Sequence, residues 1–241
     1  EMIAATMVQA GLSHEEAQRR CWFVDSKGLV VASRTDLTHH KKPWAHQAEF
    51  VKTLSEAIEV IKPTALIGAS GMTGAFTPEI LQAMARINDR PVIFALSNPT
   101  SKAECTAEAA YVHTEGRCLF ASGSPFPSVH YQGRTFSPGQ GNNVYIFPGV
   151  GLGAIAVRAK EITDGMFLTA ARVVAELVTD EERATGNLYP SLKRIREVSG
   201  RIAVEVAKQA FREGLAQERE PASVEALVQS LRYEPDYVEY V

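Results

Sequence analysis

Apolar residues recur at helical spacing through "EMIAATMVQAG" and stop at Gly11, which predicts a first helix ending on a turn glycine. Ser13 and Glu16 form a capping box, so a second helical turn is expected from Glu15 to about Arg20. "CWFVDSKGLVV" then reads as a short buried strand, Cys21 to Val24, ending at Asp25, with Gly28 turning the chain. Phe50, Val51, Leu54, Ala57, Ile58 and Ile61 mark a helix over 47–61, stopped by Pro63. From there short apolar runs alternate with helical patterns. "TALIGAS" leads through a glycine turn to a helix with Thr77 as N-cap and Pro78 at its first position, and "PVIFALSN", "TAEAAYVHTEG" and "CLFASGS" continue the series.

Short apolar strands separated by helices imply right-handed crossovers and a parallel sheet covered on both faces. The expected fold is therefore α/β, a doubly wound parallel sheet through about residue 147. Beyond it the strand pattern ceases, and helices are expected at 150–161, 165–178, 191–213 and 221–231, broken by "TDG", "ATGNLYP" and "EREP". The domains read as 1–147, a nucleotide-binding type of sheet, and 148–241, a helical region packed on it.

Composition narrows the function classes. The 241 residues carry a formal net charge of −3, so no broad basic field attracts nucleic acid or an anionic membrane, and the basic "THHKKPWAH" at 38–46 is a local cluster. Three widely spaced cysteines, Cys21, Cys105 and Cys118, suggest neither a disulfide framework nor a zinc site and fit a reducing cytoplasm. Neither a membrane span nor a signal peptide is legible, so no membrane partner is expected.

In a doubly wound sheet the ligand crevice lies outside the carboxyl ends of the strands. The candidates are Asp25, Ser26 and Lys27; Gly68, Ala69 and Ser70, running on to Gly74; Ser97 and Asn98; and Ser122 to Ser124. An acid after the second strand accepts hydrogen bonds from an adenine ribose, and nearby Ser or Lys can hold a 2′-phosphate. Ser26 and Lys27 offer both, joined by Lys41 or Lys42 if the basic loop folds back, although the same lysines read equally well as solvated loop residues. "GASGMTGAF" can bring backbone amides to an anion, or simply pack a helix closely on a strand. Asn142 and Asn143 in "SPGQGNNVYIFPG" either cap a turn or converge with Asn98 on a polar substrate, each amide offering a donor and an acceptor. The six histidines lack metal-ligand spacing.

"WFVDSKGLV", "KPTALIGASG", "VIFALSNPTSKAEC", "FASGSPF", "PGQGNNVYIFPG" and "GNLYPSL", in order over nearly the whole chain, resemble malic enzyme, the oxidative decarboxylase of malate. The resemblance implies a Rossmann-like cofactor domain, hydride transfer from malate to NADP or NAD, and a divalent Mg or Mn ion that polarises the carbonyl for loss of CO2. It assigns Asn98, Asn142 and Asn143 to substrate binding, with Asn98 and Asn142 also at the nicotinamide. It assigns Asp25 to the ribose, the glycine turn Gly68, Ala69 and Ser70 to the cofactor, and Ser26, Lys27 and Lys41 to the 2′-phosphate, which favours NADP. By position Lys41 and Lys42 cannot be told apart.

The same resemblance implies that the first strand, the phosphate loop, the catalytic tyrosine and lysine, and the acidic metal ligands precede Glu1. No catalytic residue and no metal ligand is thus expected within these residues, and the chain is expected to be a fragment, marginally stable and inactive by itself. The implied partners are malate and pyruvate in a homo-oligomer, dimer or tetramer. Two alternatives stand beside this reading: the cofactor domain of an amino-acid dehydrogenase, and a non-catalytic binding or assembly module.

Overall fold

The computed structural model describes residues 1–234, so the end of the expected helical region 148–241 lies outside the described residues. The chain forms two compact units: residues 1–141 with 183–188, and residues 142–182 with those from 189 onward.

The first unit begins with α1 (Met2–Gln9) and α2 (His14–Arg19), a hairpin of β1 (Val24–Asp25) and β2 (Gly28–Leu29), and α3 (Leu54–Ile61). There follow β3 (Ala65–Gly68), α4 (Pro78–Ile87), β4 (Val92–Ala95), α5 (Ala107–His113), β5 (Leu119–Ser122), β6 (Val129–Tyr131), β7 (Arg134–Phe136) and β8 (Gly139–Gln140). The parallel sheet has four strands in the order β3-β4-β5-β8. This is the Rossmann-like α/β arrangement that the alternation of runs predicts. Leu66, Ile93 and Phe120 stand opposite one another in register and form one buried row. Ile80, Leu81 and Met84 of α4 and Tyr111 of α5 join that row in one core. On the other face Ile67 remains 44% exposed, and among the described residues β3 pairs only with β4.

Residues 21–25 depart from the expectation. Instead of a buried strand, only Val24 and Asp25 are extended, pairing antiparallel with Leu29 and Gly28, while Phe23 and Val24 are exposed. A two-residue strand is held by its nearest partner, and the turn at Gly28 (φ 125°) supplies one within the same segment. A Cβ at Gly28 would strike the backbone of Val51, so the hairpin is seated on residues 50–52. The Leu29 amide donates to the Val51 carbonyl (2.9 Å), and Leu29 and Val31 close against Ala57 of α3.

Residues 47–53 are accordingly irregular rather than helical. The helix starts at Leu54, where Thr53 and Glu56 form a complete capping box. The box expected at Ser13 is half formed: Ser13 accepts from the Glu16 amide, but the Glu16 carboxylate turns to Arg19 and Arg20. The β6–β7 hairpin was not anticipated, although its turn residues Gln132 and Gly133, both at positive φ, are the two-residue connection that hairpins favour.

The second unit contains α6 (Phe147–Ala156), α7 (Asp164–Glu176), α9 (Ile195–Arg212) and α10 (Val224–Leu231), with a short α8 (Asp180–Ala184) at the chain's excursion to the first unit. Helix α6 starts three residues earlier than expected because Pro148 is accommodated in its first turn. Its glycines set the packing. A Cβ on Gly149 would lie 2.6 Å from Ile202, and one on Gly153 would lie 2.9 Å from Val206, so both glycines allow α9 to approach closely. Gly151 faces open space. Alanine should therefore act in opposite directions along one helix. Gly149→Ala is expected to destabilise the protein by about 1–3 kcal/mol through overpacking, and Gly151→Ala to stabilise it by up to about 1 kcal/mol through helix propensity. Urea unfolding of both variants decides it; equal effects would mean that α6 and α9 are not in contact at Gly149.

Candidate functional site

Two groups of polar residues stand out in the first unit. The first surrounds Asp25. The Arg34 guanidinium grips its carboxylate with two bonds (2.9 and 3.2 Å), Lys41 Nζ donates at 2.6 Å, and the Lys27 amide donates at 3.0 Å. Burial pushes the Asp25 carboxyl up, but the Arg34 and Lys41 bonds outweigh it and hold the group well below the usual carboxylate range. Arg34 also donates to both oxygens of Asp36 (3.0 and 2.9 Å), and Lys27 Nζ lies 2.8 Å from Asp36 Oδ2. The result is a chain of alternating charge, Lys27, Asp36, Arg34, Asp25, Lys41. Arg34 and Asp36 escaped the sequence reading.

The basic loop does fold back. Trp22 stacks on His46 with ring centroids 3.8 Å apart, Trp44 meets Phe23 edge-on at 5.5 Å, and Gln18 Nε2 donates to the Pro43 carbonyl. These contacts bring Lys41 to Asp25, while Lys42 stays exposed at the start of a turn, so the structure separates two lysines that sequence position does not. Ser26 is exposed beside them. Asp25 does not end a strand of the parallel sheet, as expected; it belongs to the separate β1–β2 hairpin for the reason given above.

The second group lies at the carboxyl ends of β3, β4 and β5, the edge where α/β sheets take ligands. Its organiser is Glu104, which is wholly buried. The Glu104 carboxylate accepts from the Ser70 amide (3.2 Å), the Ser97 amide (3.3 Å) and the Ser97 hydroxyl (2.5 Å), and Ser97 Oγ accepts from the Gly71 amide (2.9 Å). Gly68 has no room for a side chain because a Cβ there would meet Glu104 and Phe76. Ala69 and Ser70 are exposed next to it. Asn98 is exposed, and its Oδ1 accepts from Ser124 Oγ (2.6 Å), which leaves the amide nitrogen to donate. Gly123 packs against Leu96 and Asn98, and the Gly141 amide donates to the Ser122 carbonyl at 2.7 Å.

Asn142 and Asn143 belong to the second unit. Asn142 caps the turn Asn143–Tyr145 by accepting from the Val144 amide (2.9 Å), and Asn143 is exposed. The turn is anchored by Tyr145, whose hydroxyl donates to the Pro190 carbonyl (2.6 Å) and whose ring stacks on Tyr189.

The cysteines divide sharply. Burial in the sheet core pushes the Cys105 thiol up to about 12 and the Cys118 thiol up to about 11. Cys21 is half-buried at the base of the lysine loop, its carbonyl accepting from His46 Nε2 (2.9 Å). Among the described residues no three His, Cys, Asp or Glu side chains gather as a metal ion requires, and no helix is long and apolar enough to cross a membrane.

Comparison with known proteins gives a consistent result. The family model described as malic enzyme, NAD binding domain, matches residues 1–211. The NADP-dependent malic enzyme of Dictyostelium discoideum is 52% identical over 240 residues, covering 98% of this chain and 44% of that protein. The NADP-dependent malic enzyme of Homo sapiens is 50% identical over 238 residues, 98% of this chain and 42% of its own length. The chain thus spans less than half the length of these relatives. Among solved structures, that of Entamoeba histolytica malic enzyme superposes with a TM-score of 0.66 at 25% identity, covering 87% of this chain and 41% of that one.

Each group generates a test. Glu104→Ala leaves two amides and a hydroxyl without their acceptor in a buried place, so unfolding free energy should fall by about 3 kcal/mol or more; a loss below about 1 kcal/mol would show that water replaces the carboxylate. For Asp25 the sign follows from its depressed folded pKa. Its stabilisation is fully present above the ordinary carboxylate pKa of about 4 and is lost as pH falls through the folded value. The stability gap between the unsubstituted protein and Asp25→Asn should therefore shrink as pH drops below about 4, and a gap that stays constant from neutral to acid would contradict the clamp.

Proposed function

The chain belongs to the malic enzyme family, and on that premise we propose that it supplies the NADP-binding unit and part of the substrate pocket of an enzyme that oxidatively decarboxylates malate to pyruvate and CO2. The observation that carries the cofactor reading is the Asp25 group: a carboxylate able to accept from a ribose hydroxyl, with the Lys41 ammonium bonded to it and the Lys27 ammonium on Asp36 at the other end of the same chain of charges. A 2′-phosphate is a compact anion that two ammonium groups and the Ser26 hydroxyl can receive together, and NAD offers them nothing there.

When bound, the nicotinamide accepts hydride from C2 of malate. The residues of this chain bind and orient. The glycine turn held by Glu104, with Gly68, Ala69 and Ser70, offers the cofactor a close approach of backbone. Asn98, its Oδ1 already engaged, presents an amide donor suited to a carboxylate or carboxamide oxygen. Asn142 is likewise engaged through Oδ1 and free to donate through nitrogen, and Asn143 is exposed beside it. The family implies a divalent Mg or Mn ion; among the described residues no three His, Cys, Asp or Glu side chains gather as a metal ion requires, and the roles read for this chain are in cofactor and substrate binding. Three free cysteines fit a reducing, cytoplasmic setting, and a homo-oligomer is the assembly expected of the whole.

Calorimetry on the intact gene product tests the reading. NADP should bind at least about tenfold more tightly than NAD, equivalent to about 1.4 kcal/mol, and the double variant Lys27→Ala, Lys41→Ala should lose that preference while still binding NAD. Equal affinities in the unsubstituted protein would remove NADP as the cofactor. Binding of neither nucleotide, or binding with no turnover of malate in the presence of Mn2+, would favour the non-catalytic module.

A further inference from the structure

Arg34 is the residue that chemistry alone would choose to hold a 2′-phosphate, yet its guanidinium is fully committed. Its side chain is 8% exposed. Nε donates to Asp36; one terminal nitrogen donates to Asp25 and to the carbonyls of Gly28 (3.2 Å) and Leu29 (3.4 Å); the other donates to both Asp25 and Asp36. A phosphate can engage Arg34 only by displacing a carboxylate. The reachable cations are Lys27, with a side chain 67% exposed, and Lys41, 37% exposed. They differ in what restrains them. Lys41 is held by Asp25, the acid read as the ribose acceptor, so ribose and phosphate engage that pair together. Lys27 is held by Asp36, which faces no ribose hydroxyl in this reading and has its two oxygens on Arg34 and Lys27.

We propose that Asp36 sets cofactor discrimination by competing with the 2′-phosphate for Lys27, so that it lowers the preference for NADP over NAD. This rests on the NADP reading above and deepens it. The local sum of charge is the physical reason. Lys27, Arg34 and Lys41 bring three positive charges, and Asp25 and Asp36 return two negative ones, which leaves one positive charge to meet a phosphate that carries close to two. An oxygen of that phosphate within hydrogen-bond reach of Lys27 stands close to the Asp36 carboxylate, 2.8 Å from the same ammonium. NAD has no group at that position and does not feel the conflict.

The test is a cycle on the intact gene product. Asp36→Asn removes the charge and keeps an amide oxygen able to accept from Arg34, and the ratio of NADP to NAD affinity should rise about fivefold. In a Lys27→Ala background the same substitution should raise the ratio much less, because the contested cation is gone and only the direct repulsion between Asp36 and the phosphate is relieved. Asp36→Glu, which retains the charge, should behave as the unsubstituted protein, and Asp36→Ser provides a second neutral variant should the asparagine fail to fold. Added salt should narrow the gained discrimination. The proposal is overturned by an unchanged or reduced ratio in both neutral variants, or by a rise of the same size without Lys27, which would mean that Asp36 acts by plain repulsion of the phosphate or through Arg34 and not by competing for Lys27. Failure of the NADP reading itself shows separately, as equal affinity of the unsubstituted protein for the two nucleotides, and it removes this proposal as well.

Discussion

A carboxylate with no access to solvent ties together the ends of two parallel strands. Glu104 draws its compensation from amides and a hydroxyl rather than from a cation, and those donors, on Ser70 and Ser97, follow closely on the ends of β3 and β4. Burying a carboxylate this way is costly unless every lone pair is directed at a donor, so the arrangement has little freedom. Ser70 and Gly71 after β3, and Ser97 after β4, are fixed relative to one another, and Gly68 must remain glycine because the acid fills the space of its side chain. The carboxyl edge of the sheet is therefore held in shape by its own side chains.

The outer group obeys a different electrostatic logic. Around Asp25 the charges alternate and remain partly wet, so the same residues that stabilise the loop can be rearranged by an incoming anion. Arg34, nearly buried between two carboxylates, is the fixed member, and the two lysines are the adjustable ones. Compensation inside the sheet is thus buried and rigid, and compensation at the hairpin is partly exposed and adjustable.

Much of this was legible in the residues, and the misses share a cause. The strands β3, β4 and β5 and the N-cap at Thr77 are local patterns, and local patterns read well. The group around Asp25 was half visible, because Lys27 follows it directly and Lys41 lies in a conspicuous basic run. Arg34 and Asp36 sit in a stretch without periodicity, and the return of the chain from Gly28 is what brings Asp25 and Lys27 to them. Glu104 lay in a motif read for its asparagine; the available signal was an acid set between Ala103 and Cys105, both buried. Residues 21–25 look like a buried strand by composition, but strand pairing is a non-local event and the nearest partner won. Thr53 and Glu56 carried the helix start openly, and the apolar residues at 50 and 51 obscured it.

The burial that protects the sheet also sorts the sulfurs. Cys105 and Cys118 are packed among apolar side chains with their thiolates disfavoured, whereas Cys21 sits half-open where Trp22 and His46 stack. To an alkylating reagent the three thiols amount to one address, and that address lies at the root of the loop delivering Lys41. A chromophore attached there would read the posture of that loop in the native sequence, with no cysteine to remove and none to add.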